Sequence, residues 1–175
     1  MASRNVPSRT YRLSALSAAR FVAAATPALL LGGALFSQYV GGLYPCEMCM
    51  WQRWPHLAAL LLAHAAIVLR ARPTTSAFIT LLAALGIAIS GGIGVFHAGV
   101  EYGWWEGLTA CATQSGLGSV EDMLNTIMAA PLTRCDVAPW TLFNISLAGY
   151  NAIFSLGAAL LCLWLLARAR KGAGL

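Results

Sequence analysis

Charge is scarce in this sequence. Only 10% of its 175 residues are charged, against about 25% in ordinary soluble domains. That deficit excludes a chain built mainly of water-soluble globular domains. Also missing are the companions that would give its Cys-x-x-Cys pair, Cys46-Glu47-Met48-Cys49, a cytosolic meaning. No second pair follows at zinc-ribbon spacing and no βαβ pattern surrounds it, so a metal knuckle and a thioredoxin motif both lack their context. The first apolar run is too long for a cleaved signal peptide, and no Ala-x-Ala site follows it.

Hydrophobic residues are abundant, at 59%. They gather into four long runs, Phe21–Val40, Met50–Leu69, Ala77–Phe96 and Ile145–Ala167. About 20 residues at 1.5 Å each cover roughly 30 Å, the hydrocarbon thickness of a bilayer. The expectation is an all-α integral membrane protein, a four-transmembrane-helix bundle forming a single membrane domain over 1–175. The outer connections fall at about 41–49 and 97–144, which leaves no room for a soluble domain.

Orientation follows from the basic residues. Arg4, Arg9, Arg12 and Arg20 precede the first span, Arg70 and Arg72 separate the second and third, and Arg168, Arg170 and Lys171 follow the fourth. Nine of the eleven basic residues thus share one side, which the positive-inside rule makes cytoplasmic. All six acidic residues fall in or near the outer connections. Both termini are expected inside, and the cysteine-bearing loops in an oxidising compartment. The net charge of +5 is then a topology signal, not a nucleic-acid footprint.

Met1–Arg12 reads as a frayed basic arm. Tyr39, Tyr44, Trp51, Trp54, Trp104, Trp105 and Trp140 crowd the outer boundary as an interfacial belt, and Trp164 takes that role at the inner one. Pro55 leaves two options. Either the regular second helix begins near Trp54, or Pro55 lies inside it and frees the carbonyl of Trp51. Gly86, Ser90 and Gly94 recur every four residues as a face for close helix contact. In Ser119–Ala130 the apolar residues share one helical face, with Ser119 and Asp122 at capping-box spacing and Pro131 as a stop, so a short amphipathic helix is expected there.

Five cysteines are present. Topology puts Cys46, Cys49, Cys111 and Cys135 on the outer face. Cys162, in the fourth span, is a packing residue. Two structural disulfides would account for the four. However, a Cys-x-x-Cys bridge closes too small a loop to constrain the unfolded chain much, and strained or exposed disulfides have the more oxidising potentials. A redox couple is therefore favoured. Met48 and Met50 interleave with the cysteines and would suit Cu(I), but are equally ordinary as interfacial residues.

Arg53 is an outer-side charge at the edge of an apolar run, a functional candidate by position. On a helix it lies four residues from Cys49, on one face. An arginine and a helix N-terminus both favour a thiolate. The alternative is an arginine snorkelling to headgroups. His64 reads as a core residue of the second span, His56 as an interfacial polar tip, and His97 lies at the depth of the dithiol.

Taken together, these features resemble the bacterial DsbB family, the membrane disulfide-bond formation proteins. The resemblance rests on four spans, Cys46-x-x-Cys49 followed by Arg53, the loop cysteines Cys111 and Cys135, and the stretch Phe96-His97-Ala98-Gly99-Val100-Glu101-Tyr102-Gly103-Trp104-Trp105. It implies a quinone-dependent thiol:disulfide oxidoreductase of the bacterial inner membrane, with ubiquinone or menaquinone as cofactor. Cys46/Cys49 would be oxidised by the quinone, with Cys49 beside its ring and Arg53 and His97 as further quinone-site residues. Cys111/Cys135 would oxidise a periplasmic DsbA-type thioredoxin-fold partner. Cys111 would take the mixed disulfide and Cys135 would pass electrons to Cys46. No resident metal and no nucleic acid are implied. Two alternatives stand beside it. One is a quinone reductase of the vitamin K epoxide reductase type, in which the Cys-x-x-Cys lies late in the bundle. The other is a copper-binding tetraspan protein using Cys46, Met48, Cys49 and Met50.

Overall fold

The structure, a computed structural model, describes residues 6–107 and 133–171. Its elements in order are α1 (Val6–Tyr39), α2 (Glu47–Val68), a 3-10 turn (Leu69–Ala71), α3 (Pro73–Glu101), a two-stranded hairpin of β1 (Thr141–Leu142) and β2 (Ile145–Ser146), and α4 (Leu147–Lys171). Among the described residues, four α-helices are present, each long and apolar enough to cross a membrane. The expected bundle is therefore present. Cys111 and the segment Ser119–Ala130 lie outside the described residues.

Three boundaries differ from the sequence reading. First, α1 begins at Val6, so the basic arm is helical from that point. Arg20 is buried within this helix, and its Nε donates to Ser76 Oγ at 2.7 Å. Ser76 Oγ in turn donates to the Ala66 carbonyl at 2.6 Å. A buried guanidinium is tolerated only where hydrogen bonds replace water, and α3 supplies one here. Second, α2 starts at Glu47, so Pro55 lies inside it. The freed carbonyl is that of Trp51, which is 38% exposed. Third, α4 begins at Leu147, because Ile145 and Ser146 belong to the hairpin.

The hairpin is a local consequence of its turn. Phe143 and Asn144 both have positive φ, 51° and 60°, the conformation of a two-residue type I′ turn. The register pairs Thr141 with Ser146 and Leu142 with Ile145. Ser146 then starts α4, its Oγ accepting from Gly149 N at 3.1 Å. The same Oγ donates to Glu101 at the end of α3. Tyr102 accepts from Ser146 N and donates to the Asn144 carbonyl.

Small residues let the helices approach. A Cβ on Gly86 would meet Ala59 and the Pro55 carbonyl of α2 at 3.2 Å, and one on Gly94 would meet the Ala148 carbonyl of α4 at 3.0 Å. Ser90, between them, donates to the Gln52 carbonyl at 2.8 Å. The small-residue face of α3 thus serves two neighbours. The end of the bundle away from the cysteine pair is filled by Leu16, Ala19, Ala23, Ala63, Ala83, Ala84, Cys162, Leu166 and Ala169. There the Cys162 thiol donates to the Ala19 carbonyl at 3.2 Å. Large apolar residues such as Leu29 (75% exposed) and Val68 (78%) face outward, as lipid contact requires. His64 is also exposed and is not the core residue expected.

Candidate functional site

The cysteine pair forms the first turn of α2. Cys46 is the N-cap, in extended conformation, and its sulfur accepts from Cys49 N at 3.3 Å. Cys49 therefore stands where the helix dipole and the unpaired N–H groups favour negative charge. The Cys46 thiol donates to Cys49 Sγ across 2.9 Å. That hydrogen bond and burial push the Cys46 thiol up to about 12. Cys46 is thus the partner that keeps its proton.

His97 comes from α3, at 2% exposure. Its Nε2 lies 3.5 Å from Cys46 Sγ and 3.8 Å from Glu101 Oε1. Its Nδ1 lies 2.8 Å from Gln52 Nε2. Cys135 arrives from the second connection. Its sulfur, the Cys46 sulfur and a His97 ring nitrogen all lie within 4.8 Å of one another. Cys46, Met48 and Val100 form a buried cluster here, against which Cys49, Phe96 and Cys135 pack. Met48 is fully buried whereas Met50 is 36% exposed, so the two methionines sit in different surroundings.

Arg53 is tied to α1. Its Nη1 donates to Gln38 Oε1 at 2.6 Å and its Nη2 to the Ala34 carbonyl at 3.2 Å, both on α1. Cys49 and Arg53 are both in α2 and both line a cavity of about 240 Å³. Its wall also includes Leu30, Ala34, Tyr44, Gln52, His56, His97, Glu101, Leu147 and Asn151, so it opens between all four helices at the cysteine end.

Of the residues singled out from sequence, the fold brings together Cys46, Cys49, His97 and Cys135, with Arg53 on the shared cavity. Three further polar residues, Gln52, Asn151 and Ser155, were missed. With Ser90, expected only as a packing residue, they form a network that also binds His56. His56 is 3% exposed and hydrogen-bonded to Asn151, so it is no interfacial tip. The available signal was Asn151 itself, a polar side chain inside an apolar span.

Trp105 departs from the aromatic belt. Its ring stacks on Phe96 with centroids 5.8 Å apart, its Nε1 donates to the Phe96 carbonyl at 2.9 Å, and a Cβ at Gly99 would overlap it. At the other end of the bundle, Arg168 lies over the face of Trp164, 4.3 Å from the ring centroid.

These observations define a multi-pass membrane protein in which Cys46, Cys49 and Cys135 cluster at one end of a helical bundle. The family model for "Disulfide bond formation protein DsbB" matches residues 17–165, and the chain belongs to that family. Curated relatives agree. Disulfide bond formation protein B 2 of Pseudomonas syringae is 31% identical over 171 residues, 87% of this chain and 94% of that protein. Disulfide bond formation protein B of Stutzerimonas stutzeri is 26% identical over 149 residues, 81% and 88% of the two chains. An uncharacterised protein of Rickettsia prowazekii is 22% identical over 132 residues, 73% and 74% of the two chains. No solved structure matches.

Proposed function

We propose that this disulfide bond formation protein is a quinone-dependent thiol oxidase of the bacterial inner membrane that reoxidises a periplasmic DsbA-type partner. The observation that carries the reading is the meeting of Cys135 with Cys46, whose partner Cys49 lines a cavity together with Arg53. The basic-residue asymmetry supports cytoplasmic termini and periplasmic cysteines.

The residues fit a quinone headgroup. The cavity is mainly apolar, as a ring requires, and is lined by the Arg53 guanidinium, the charged donor that would meet a carbonyl oxygen, with Gln52 and His97 also in its wall. When bound, the quinone supplies the oxidising equivalent, accepting two electrons and two protons. Ubiquinone and menaquinone share the chemistry this cavity reads.

The chain's own part is thiol–disulfide exchange. The partner's thiolate attacks Cys111 of a Cys111–Cys135 disulfide, forming a mixed disulfide and releasing the Cys135 thiolate. Cys135 attacks Cys46 of the Cys46–Cys49 disulfide. A Cys46–Cys135 bond forms, and Cys49 leaves as a thiolate at the first turn of α2. The partner's second thiol displaces Cys111. The freed Cys111 thiolate then attacks Cys135, which closes the loop pair and returns Cys46 as a thiol. One dithiol has been oxidised and one disulfide, Cys46–Cys49, reduced. In these exchange steps Cys46 is attacked or leaves and is not the nucleophile, in keeping with its retained proton.

The test is turnover. Purified protein in detergent, given a reduced DsbA-type partner and a soluble quinone analogue, should consume quinone one for one with partner dithiol. Absence of turnover with both ubiquinone and menaquinone analogues would remove this reading.

A further inference from the structure

The buried amides between α2, α3 and α4 fix a hydrogen position in the site. The Gln52 amide nitrogen donates to the Met48 carbonyl at 3.1 Å. A carbonyl only accepts, so this contact identifies the nitrogen and leaves Oε1 facing Asn151, whose Nδ2 donates to it at 2.7 Å. Asn151 is oriented in the same way, because its Nδ2 also donates to the Ser90 carbonyl at 3.2 Å. Its Oδ1 accepts from Ser155 at 2.9 Å. Backbone carbonyls therefore anchor both amides, and neither can be flipped without opposing donor to donor or oxygen to oxygen.

The second N–H of Gln52 then points at His97 Nδ1, 2.8 Å away. Nδ1 accepts, so the ring proton of a neutral His97 sits on Nε2, the nitrogen 3.5 Å from Cys46 Sγ. We propose that Gln52 is a positioning residue that holds His97 in its Nε2–H tautomer, making it a hydrogen-bond donor to the Cys46 sulfur and denying that nitrogen to metal ions.

Both halves have a chemical consequence. A sulfur leaving a disulfide gathers negative charge, and an N–H aimed at it lowers the cost of departure. Cys46 is that sulfur when Cys111 displaces it from Cys135. Meanwhile Cys46, Cys135 and His97 have the mutual spacing of a soft-metal site, all within 4.8 Å. A dithiol protein exposed to zinc or copper would be poisoned by capture there. A metal needs a lone pair on Nε2 and a proton on Nδ1, and the Gln52 N–H opposes that proton. The catalytic meaning rests on the redox reading of Cys46; the tautomer does not, and can be read in protein that turns nothing over.

The experiment uses the full-length reduced protein in detergent micelles, with 15N-labelled histidine. The chain has three histidines, and a His97→Asn sample identifies the His97 signals by their loss. Long-range 15N–1H spectra should show His97 protonated at Nε2 and bare at Nδ1. In Gln52→Glu the carboxylate accepts from Nδ1–H, and the pattern should reverse or become that of the doubly protonated ring. Cadmium titration of the same reduced samples, followed by cadmium–thiolate absorption, should show about 10–100-fold tighter binding in Gln52→Glu, abolished by adding Cys135→Ser. A wild-type His97 protonated at Nδ1 overturns the proposal even if the variant does not fold. So does a folded Gln52→Glu with unchanged tautomer or unchanged cadmium affinity.

Discussion

The sulfurs of Cys135 and Cys46 lie within 4.8 Å of each other, although one belongs to the second outer connection and the other caps a membrane helix. A disulfide brings its two sulfurs to about 2.05 Å, so the pair must close further to bond. With Cys49 and Cys111 changed to serine, mild oxidation should give a Cys46–Cys135 bond, seen by peptide mapping. If that bond never forms while the intact protein still oxidises its partner with quinone, electrons take another path.

Arg53 links α2 to α1 through Gln38 and the Ala34 carbonyl. Arg53→Ala removes a charged donor from the cavity wall, and hydrogen bonds to charged groups contribute about 1.5–3 kcal/mol each. The apparent KM for quinone should rise about tenfold or more, with exchange between the partner and Cys111/Cys135 much less affected. Stopped-flow measurement of the two half-reactions checks this. An unaltered KM would leave Arg53 a helix tether alone.

Cys46 retains its proton to about pH 12, whereas an ordinary thiol ionises near 8.5. The sign is an upward shift, so the thiolate is depleted at neutral pH. At neutral pH nearly all Cys46 is therefore protonated, and the ionised fraction climbs with pH. In reduced, quinone-free protein, iodoacetamide should label Cys46 slowly, with a rate still climbing between pH 9 and 11. A plateau below pH 9, resolved by mass spectrometry, would contradict the arrangement.

The four spans were legible because apolar length needs no tertiary knowledge. The depth of His97 was legible too, since helix length fixes it. What a run of apolar residues does not encode is the rotation of each helix about its own axis. Gln52 and Asn151 meet only because α2 and α4 turn those faces toward each other, and His64 was misassigned for the same reason. The hairpin was hidden because Ile145 and Ser146 extend an apolar run smoothly, and Phe143 is an improbable residue for positive φ.

Gly99 accommodates the Trp105 ring. Gly99→Ala should expel the indole, break its bond to Phe96 and destabilise the protein by about 1–3 kcal/mol. Near-ultraviolet circular dichroism and thermal unfolding in detergent would register both effects. A variant with native spectrum and native Tm would show that the ring is not held there.

Topology is open to a direct check. Reporter fusions should find both termini and the turn at Arg70 cytoplasmic, and the segments around Cys46 and Cys135 periplasmic. A reporter active in the periplasm at Arg70 would reverse the orientation and remove the oxidising compartment from around the cysteines.

The hairpin at the start of α4 is pinned to the end of α3 by Ser146, Glu101 and Tyr102. Cys135 lies six residues before Thr141, the first residue of that hairpin. Six residues of extended chain reach about 20 Å. Cys135 therefore works on a leash whose post stands at the bundle rim. Exchange between Cys135 and Cys46 is thereby kept at that rim, and under the proposed route it is Cys111 that must come back to the rim to reclose its bond with Cys135.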